Sequence, residues 1–119
     1  MGKDEMNSFV RSWIAGWNAH DLDAILAHYA DEVVFYSPMI FRVTGSEQPS
    51  IQGRPGLELY WRRALGMAPD LRFELQSSFY GRGALMILYS NQTGRRASEA
   101  FVFNGEAKVC LSIATYEAA

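Results

Sequence analysis

The sequence predicts an α+β fold, with about three helices in the first half of the chain packed on one face of a mostly antiparallel sheet. Apolar residues recur at helical spacing from Glu5 to Asn18, again from Leu22 to Tyr29, and once more after Pro55. From Leu71 onward, stretches of strand length rich in aromatic and branched residues follow one another. Turn residues separate them at Gly81-Arg82-Gly83, Thr93-Gly94 and Asn104-Gly105, where hairpins need them. The chain has 119 residues, of which 49% are hydrophobic, so residues 1–119 make one domain with a real core and no room for a second.

The first helix carries Met6, Phe9, Val10, Trp13, Ile14 and Trp17 on one stripe. Asn18-Ala19-His20 breaks that pattern, and Asp21 is a good N-cap for a second helix. Asp23 suits its positive end, and Leu22, Ile25, Leu26 and Tyr29 form its buried side until Ala30-Asp31-Glu32 ends it. Val33 to Tyr36 reads as a strand stopped by Ser37-Pro38, with Met39 to Val43 as a second short strand. Thr44 to Gly53 is polar and turn-rich, and reads as a loop. Pro55 fits the first turn of a third helix, whose apolar face is Leu57, Tyr60, Trp61, Ala64 and Leu65. The remaining strands fall at about 71–80, 84–91, 95–103 and 108–116. There is no internal repeat and no low-complexity segment.

A sheet covered on one face should alternate apolar and polar residues, yet Leu85 to Tyr89 and Val109 to Ala114 are apolar on both sides. Leu85, Ile87, Ala100, Val102, Leu111 and Ile113 are the residues expected on the uncovered face. A homodimer through the sheet is the simplest cover, and a covering loop the alternative.

Composition excludes several classes. A formal charge of −2 and scattered arginines argue against a nucleic-acid partner. The first residues hold no apolar signal core, and the longest apolar run, Ala84 to Tyr89, is too short for a bilayer, so no membrane partner is expected. A single cysteine, Cys110, points to a reducing, cytoplasmic setting. His20 and His28 lack clustered partners, so no metal is expected, and no glycine-rich phosphate loop implies a cofactor.

Several segments together resemble a known superfamily. They are Trp17-Asn18-Ala19-His20-Asp21-Leu22-Asp23, Tyr29 to Phe35, Gly53-Arg54-Pro55-Gly56, Glu99-Ala100-Phe101 and Phe103 to Val109. Their order and spacing resemble the nuclear transport factor 2-like superfamily, nearest its SnoaL-like and ketosteroid-isomerase-like branches. The resemblance implies a cone-shaped, strongly curved sheet whose helices enclose a pocket, and frequent dimerisation through the sheet. It leaves chemistry open, because this superfold hosts isomerases, cyclases, hydrolases, dehydratases and non-catalytic binding modules.

Steroid isomerases of that branch use a tyrosine on the first helix, an aspartate base ending the first strand, and a protonated aspartate on a late strand. By motif position these places fall on Trp13, Ser37 and Glu99. Serine without an activating partner is no proton acceptor at neutral pH, which argues against that mechanism. Glu99 shares strand parity with Phe101 and Phe103, so it is expected to face a pocket and to act as an acid with a raised pKa. Pairing with Arg72 or Arg96 at a sheet edge is the alternative. Trp13, Trp17 and Trp61 on helices, and Phe35, Met86, Phe101, Cys110, Ser112 and Tyr116 on strands, are the expected lining, with Ser37 a further catalytic candidate. Cys110 reads as an inert thiol.

Three functions follow. One is an enzyme moving a proton on a small apolar molecule, as in isomerisation, cyclisation or dehydration, with Glu99 as acid. The second binds such a ligand without turnover. The third is a protein-interaction module, for which Trp13 and Trp61 would fill the pocket.

Overall fold

In the computed structural model, residues 1–118 are described. Helix α1 spans Lys3–Asn18 and α2 Leu22–Leu26; strand β1 spans Tyr29–Tyr36 and helix α3 Ile40–Thr44. Strand β2 (Ser50–Gln52) and helix α4 (Arg54–Met67) follow, then β3 (Glu74–Tyr80), β4 (Ala84–Ser90), β5 (Arg96–Phe103) and β6 (Val109–Tyr116). The six strands form one curled, unclosed sheet in the order β2-β1-β6-β5-β4-β3. β1 and β6 are parallel, and every other pair is antiparallel. The last four strands are therefore the expected meander, and β1 closes onto its far side.

Three expectations change in the first half. Tyr29 begins β1 instead of ending α2, which stops at Leu26. The Asp21 cap holds, its side chain accepting from the Ala24 N–H at 3.2 Å. The segment expected as a strand at Met39 to Val43 is helix α3. It buries Ile40 and Val43 and ends at Gly45 with φ 77°. The stretch read as a loop contains β2, which pairs Phe35 with Ile51. Short segments such as these carry too few periods for sequence pattern to separate helix from strand.

The core lies between the helices and the inner face of the sheet. Phe9 on α1 meets Phe101 and Phe103 edge-on, with ring centroids 4.9 and 5.1 Å apart. Gly16 lets α2 approach closely, since a Cβ there would stand 3.1 Å from the Ile25 side chain. Pro55 occupies the first turn of α4, as expected.

Strand parity corrects the expected outer face. Leu85 and Ile87 point inward and are fully enclosed, whereas Met86 is 42% exposed. An unbroken apolar run hides its own parity. Pairing resolves it, because Ile87 stands opposite Glu99, and Met86 opposite Ala100. Ala100, Val102, Leu111 and Ile113 do lie on the outer side, opposite in parity to buried Phe101, Ser112 and Ala114.

Candidate functional site

A cavity of about 310 Å³ opens between α1, α3, α4 and the inner face of the sheet. Trp13 and Trp17 come from α1, Tyr60 and Trp61 from α4, and Phe73 from the segment before β3. Phe35, Tyr89, Glu99, Ala114 and Tyr116 come from the strands, and Ser37 from the turn after β1. The wall is an aromatic lattice. Trp17 meets Trp61 edge-on at 5.1 Å, and Trp13 stacks on Phe73 at 5.7 Å. The Trp17 Nε1 has no hydrogen-bond partner among the described residues, enclosed as it is by Trp13, Trp61 and Phe73.

The polar centre is Glu99. Glu99 is 3% exposed and forms no ion pair among the described residues; Arg96, the edge partner considered above, pairs with Glu117 instead. Ser112 donates to Glu99 Oε2 at 2.9 Å, and the Tyr89 hydroxyl donates to Oε1 at 3.5 Å. Burial pushes the Glu99 carboxyl up to about 7, and the two hydroxyl donors hold it back from rising further. A group balanced near neutrality can both take up and release a proton.

Around Glu99 stand phenols. Burial raises Tyr60 and Tyr89, and pushes Tyr116 up to about 12, so all three remain protonated donors. The Ser37 side chain lies close enough to Tyr60 and Tyr116 to temper their shifts by hydrogen bonding. The Ser37 hydroxyl also accepts from the Met39 N–H at 3.1 Å, which ties it to the start of α3. Trp13 does not offer its indole N–H to the cavity; it donates to the Tyr29 hydroxyl at 2.9 Å.

Of the residues singled out from sequence, Trp13, Trp17, Phe35, Ser37, Trp61, Glu99 and Tyr116 stand in the cavity wall. Four do not. Met86 is on the outer face, by the parity given above. Cys110 sits at a break in the β5–β6 register, its thiol donating to the Val102 carbonyl at 3.4 Å. Phe101 is wholly buried beneath Phe9 and Trp13. Ser112 lies behind the wall, where it holds Glu99. Sequence reading missed Tyr89, Phe73, Met39 and Arg42. Tyr89 shares parity with Leu85 and Ile87, and was lost with them. Arg42 was lost because its segment was read as a strand. His20 bonds the Leu71 carbonyl at 2.9 Å, and His28 the Ser12 hydroxyl at 3.0 Å; neither lines the cavity.

A model of the SnoaL-like domain matches residues 10–109. The chain belongs to the SnoaL-like domain family. The domain is 40% identical to a SnoaL-like protein of unknown function from Burkholderia thailandensis, covering 99% of both chains with a TM-score of 0.90. A protein from Sinorhizobium meliloti, provisionally assigned as a polyketide cyclase, is 14% identical over 91% of this chain and 94% of its own, with a TM-score of 0.72. The epoxide hydrolase/cyclase-like enzyme SalBIII, which takes part in pyran ring formation in the polyether salinomycin, is 13% identical over 97% and 92%, with a TM-score of 0.74. These last two likenesses establish the fold alone. No protein of curated function matches this SnoaL-like domain. Among the described residues, no three His, Cys, Asp or Glu side chains gather where they could hold a metal ion. No helix among them is long and apolar enough to cross a membrane.

Proposed function

We propose that this SnoaL-like domain binds a small, largely apolar carbonyl compound in its cavity and moves a proton on it, with Glu99 as the acid–base group. The carrying observation is a carboxyl buried in an aromatic wall, bonded by Ser112 and Tyr89 and paired with no cation among the described residues; burial pushes it up to about 7. As a carboxylate, Glu99 removes a proton from the carbon next to the carbonyl. As the resulting acid, it returns that proton to another carbon, which isomerises the compound, or to a leaving oxygen, which dehydrates it. One group thus serves both steps, so the serine at the usual base position is no obstacle. The oxyanion that develops between the steps has neutral donors at hand in the Tyr60, Tyr116 and Ser37 hydroxyls. The cyclase and hydrolase names carried by similar folds are in keeping with proton transfer on such substrates.

Binding without turnover is the second reading, favoured by the lack, among the described residues of the wall, of a second carboxyl, an imidazole or an amine beside Glu99. The interaction-module reading has less support, since Trp13 and Trp61 edge the cavity and leave its space open. Dimerisation is part of the proposal. Phe79, Met86, Val102 and Ile113, each more than a third exposed, form an apolar outer face that suits a second copy.

The test is solvent exchange. Bicyclic ketones such as 1-decalone, incubated with the protein in D₂O, should take up deuterium beside the carbonyl, as read by NMR. Glu99→Gln should slow that uptake by about 10²- to 10⁴-fold while leaving ketone binding intact. Binding with equal exchange in both proteins removes Glu99 from catalysis, and binding with no exchange above background leaves the binding-only reading.

A further inference from the structure

We propose that the ligand of this cavity carries an anionic group at its outer end, held by Arg42 together with the side-chain amides of Asn91 and Gln92. The inference rests on the cavity being a ligand site, but not on proton transfer within it.

Two of the lining residues bear charge, and they differ sharply in exposure. Glu99 is enclosed at the floor, whereas Arg42, on α3, is exposed at the opening along with Met67 and Gln92. Arg42 makes no ion pair among the described residues.

The neighbouring amides are more telling than the charge. Asn91 Oδ1 accepts from the Thr93 N–H at 3.0 Å, the Thr93 hydroxyl at 2.6 Å and the Arg95 N–H at 3.2 Å. Gln92 Oε1 accepts from the Arg72 N–H at 3.3 Å. Backbone N–H groups can only donate, so these contacts settle which way each amide is turned. The Asn91 oxygen is engaged within its own turn, and the Gln92 oxygen by the segment before β3. Both NH₂ groups have no protein partner among the described residues. The rim therefore presents hydrogen-bond donors from Arg42, Asn91 and Gln92 with no matching acceptor side chain.

The wider charge pattern agrees. Arg95 lies over the ring of cavity-lining Tyr116, 5.0 Å from its centroid, and Arg72 adjoins Gln92 through that backbone contact. Neither is in an ion pair among the described residues. Glu47, five residues beyond Arg42, and Asp70, two before Arg72, are not in the wall, and neither pairs with any of these arginines among the described residues. A donor-only rim with a guanidinium fork fits an oxyanion, whether carboxylate or phosphate, and gives little to a neutral end group. The ligand class is then an amphipathic anion, apolar where it meets Trp13, Trp17 and Trp61 and charged where it meets solvent.

The test uses three probes with one apolar body: 2-naphthylacetate, 2-naphthyl phosphate and the neutral 2-naphthylacetamide. Binding is read by quenching of tryptophan fluorescence at about pH 6, where Glu99 is mostly protonated and does not repel anions. At low salt an anionic probe should bind about 5- to 10-fold more tightly than the amide. Arg42→Ala should bring that preference to within about two-fold without weakening the amide, and Arg62→Ala, on the far side of α4, should leave it intact. The stronger of the two anions names the group as carboxylate or phosphate. Equal binding of acid and amide, or equal losses for both in Arg42→Ala, overturns the rim while the cavity reading stands. Failure of all three probes to bind overturns the cavity reading, and this inference with it.

Discussion

The two faces of strands β4, β5 and β6 of this SnoaL-like domain differ sharply in burial and in hydrogen bonding. On the inner face, Tyr89, Glu99 and Ser112 are buried and joined by hydrogen bonds. One residue along, on the outer face, Met86, Val102 and Ile113 meet solvent, and the hydroxyls of Ser98 and Thr115 beside them pair with each other. Packing alone would produce the opposite arrangement, because a buried carboxyl costs free energy that an apolar side chain of similar size does not. The inner face bears a cost the fold has no need of, and the outer face leaves apolar area unused. The proposed function accounts for each by something other than the stability of a single copy: proton transfer inside, and contact with a second copy outside.

The inner half of that contrast can be broken by Glu99→Gln. Below pH 4.5 the carboxyl is protonated in both folded and unfolded chains, so it adds no pH dependence. Between 4.5 and about 7 the folded state keeps a proton that the unfolded state has lost, and stability falls as pH rises. Above about 7 the penalty is constant; the difference of about 2.5 units (7 − 4.5) corresponds to about 3 kcal/mol at most. Glu99→Gln should therefore be more stable than the parent at pH 8, by up to about 3 kcal/mol, with the gap closing near pH 4. Urea unfolding across that range measures it. A gap that does not vary with pH would mean that Glu99 is not the strained group.

The outer half is broken by Val102→Asp. Val102 is 37% exposed in the single chain, so a charge there should leave the fold intact. Placed in the middle of the proposed dimer face, it should weaken association by about 2 kcal/mol or more, shifting the expected dimer to monomer in sedimentation. A parent that is monomeric at high concentration would assign the outer face to something other than a second copy.

The same contrast shows what sequence could and could not reveal. The inward turn of Glu99 is legible because it shares parity with the aromatics Phe101 and Phe103 in β5, and Ala97, Glu99, Phe101 and Phe103 are all buried. β4 has no such marker, so Leu85 and Ile87 were assigned outward and Met86 inward. β6 misleads differently, since the register break beside Val109 shifts Cys110 out of the alternation. α3 and β2 span five and three residues, shorter than any periodic signal, and Arg42 went with them. The hydrogen bonds that turn the Asn91 and Gln92 oxygens inward come from turn geometry for Asn91 and from the distant Arg72 N–H for Gln92, neither of which composition encodes.

The smallest predicted effect tests how the inner face is tuned rather than whether it works. Ser112 donates to Glu99 Oε2 and stabilises the ionised carboxyl. Ser112→Ala removes that donor, and the Glu99 pKa should rise above its value of about 7. A rise on the order of one unit follows from one lost hydrogen bond to a charged group. The inflection of the deuterium-exchange rate against pH should move upward with it. The direction of the rate change separates the two roles. If the carboxylate is the reacting form, exchange at neutral pH slows in Ser112→Ala. If the acid is, activity extends to higher pH. An inflection that stays in place would assign it to a group that Ser112 does not touch, and Tyr60 and Tyr116, both held well above neutrality, are too basic to supply it.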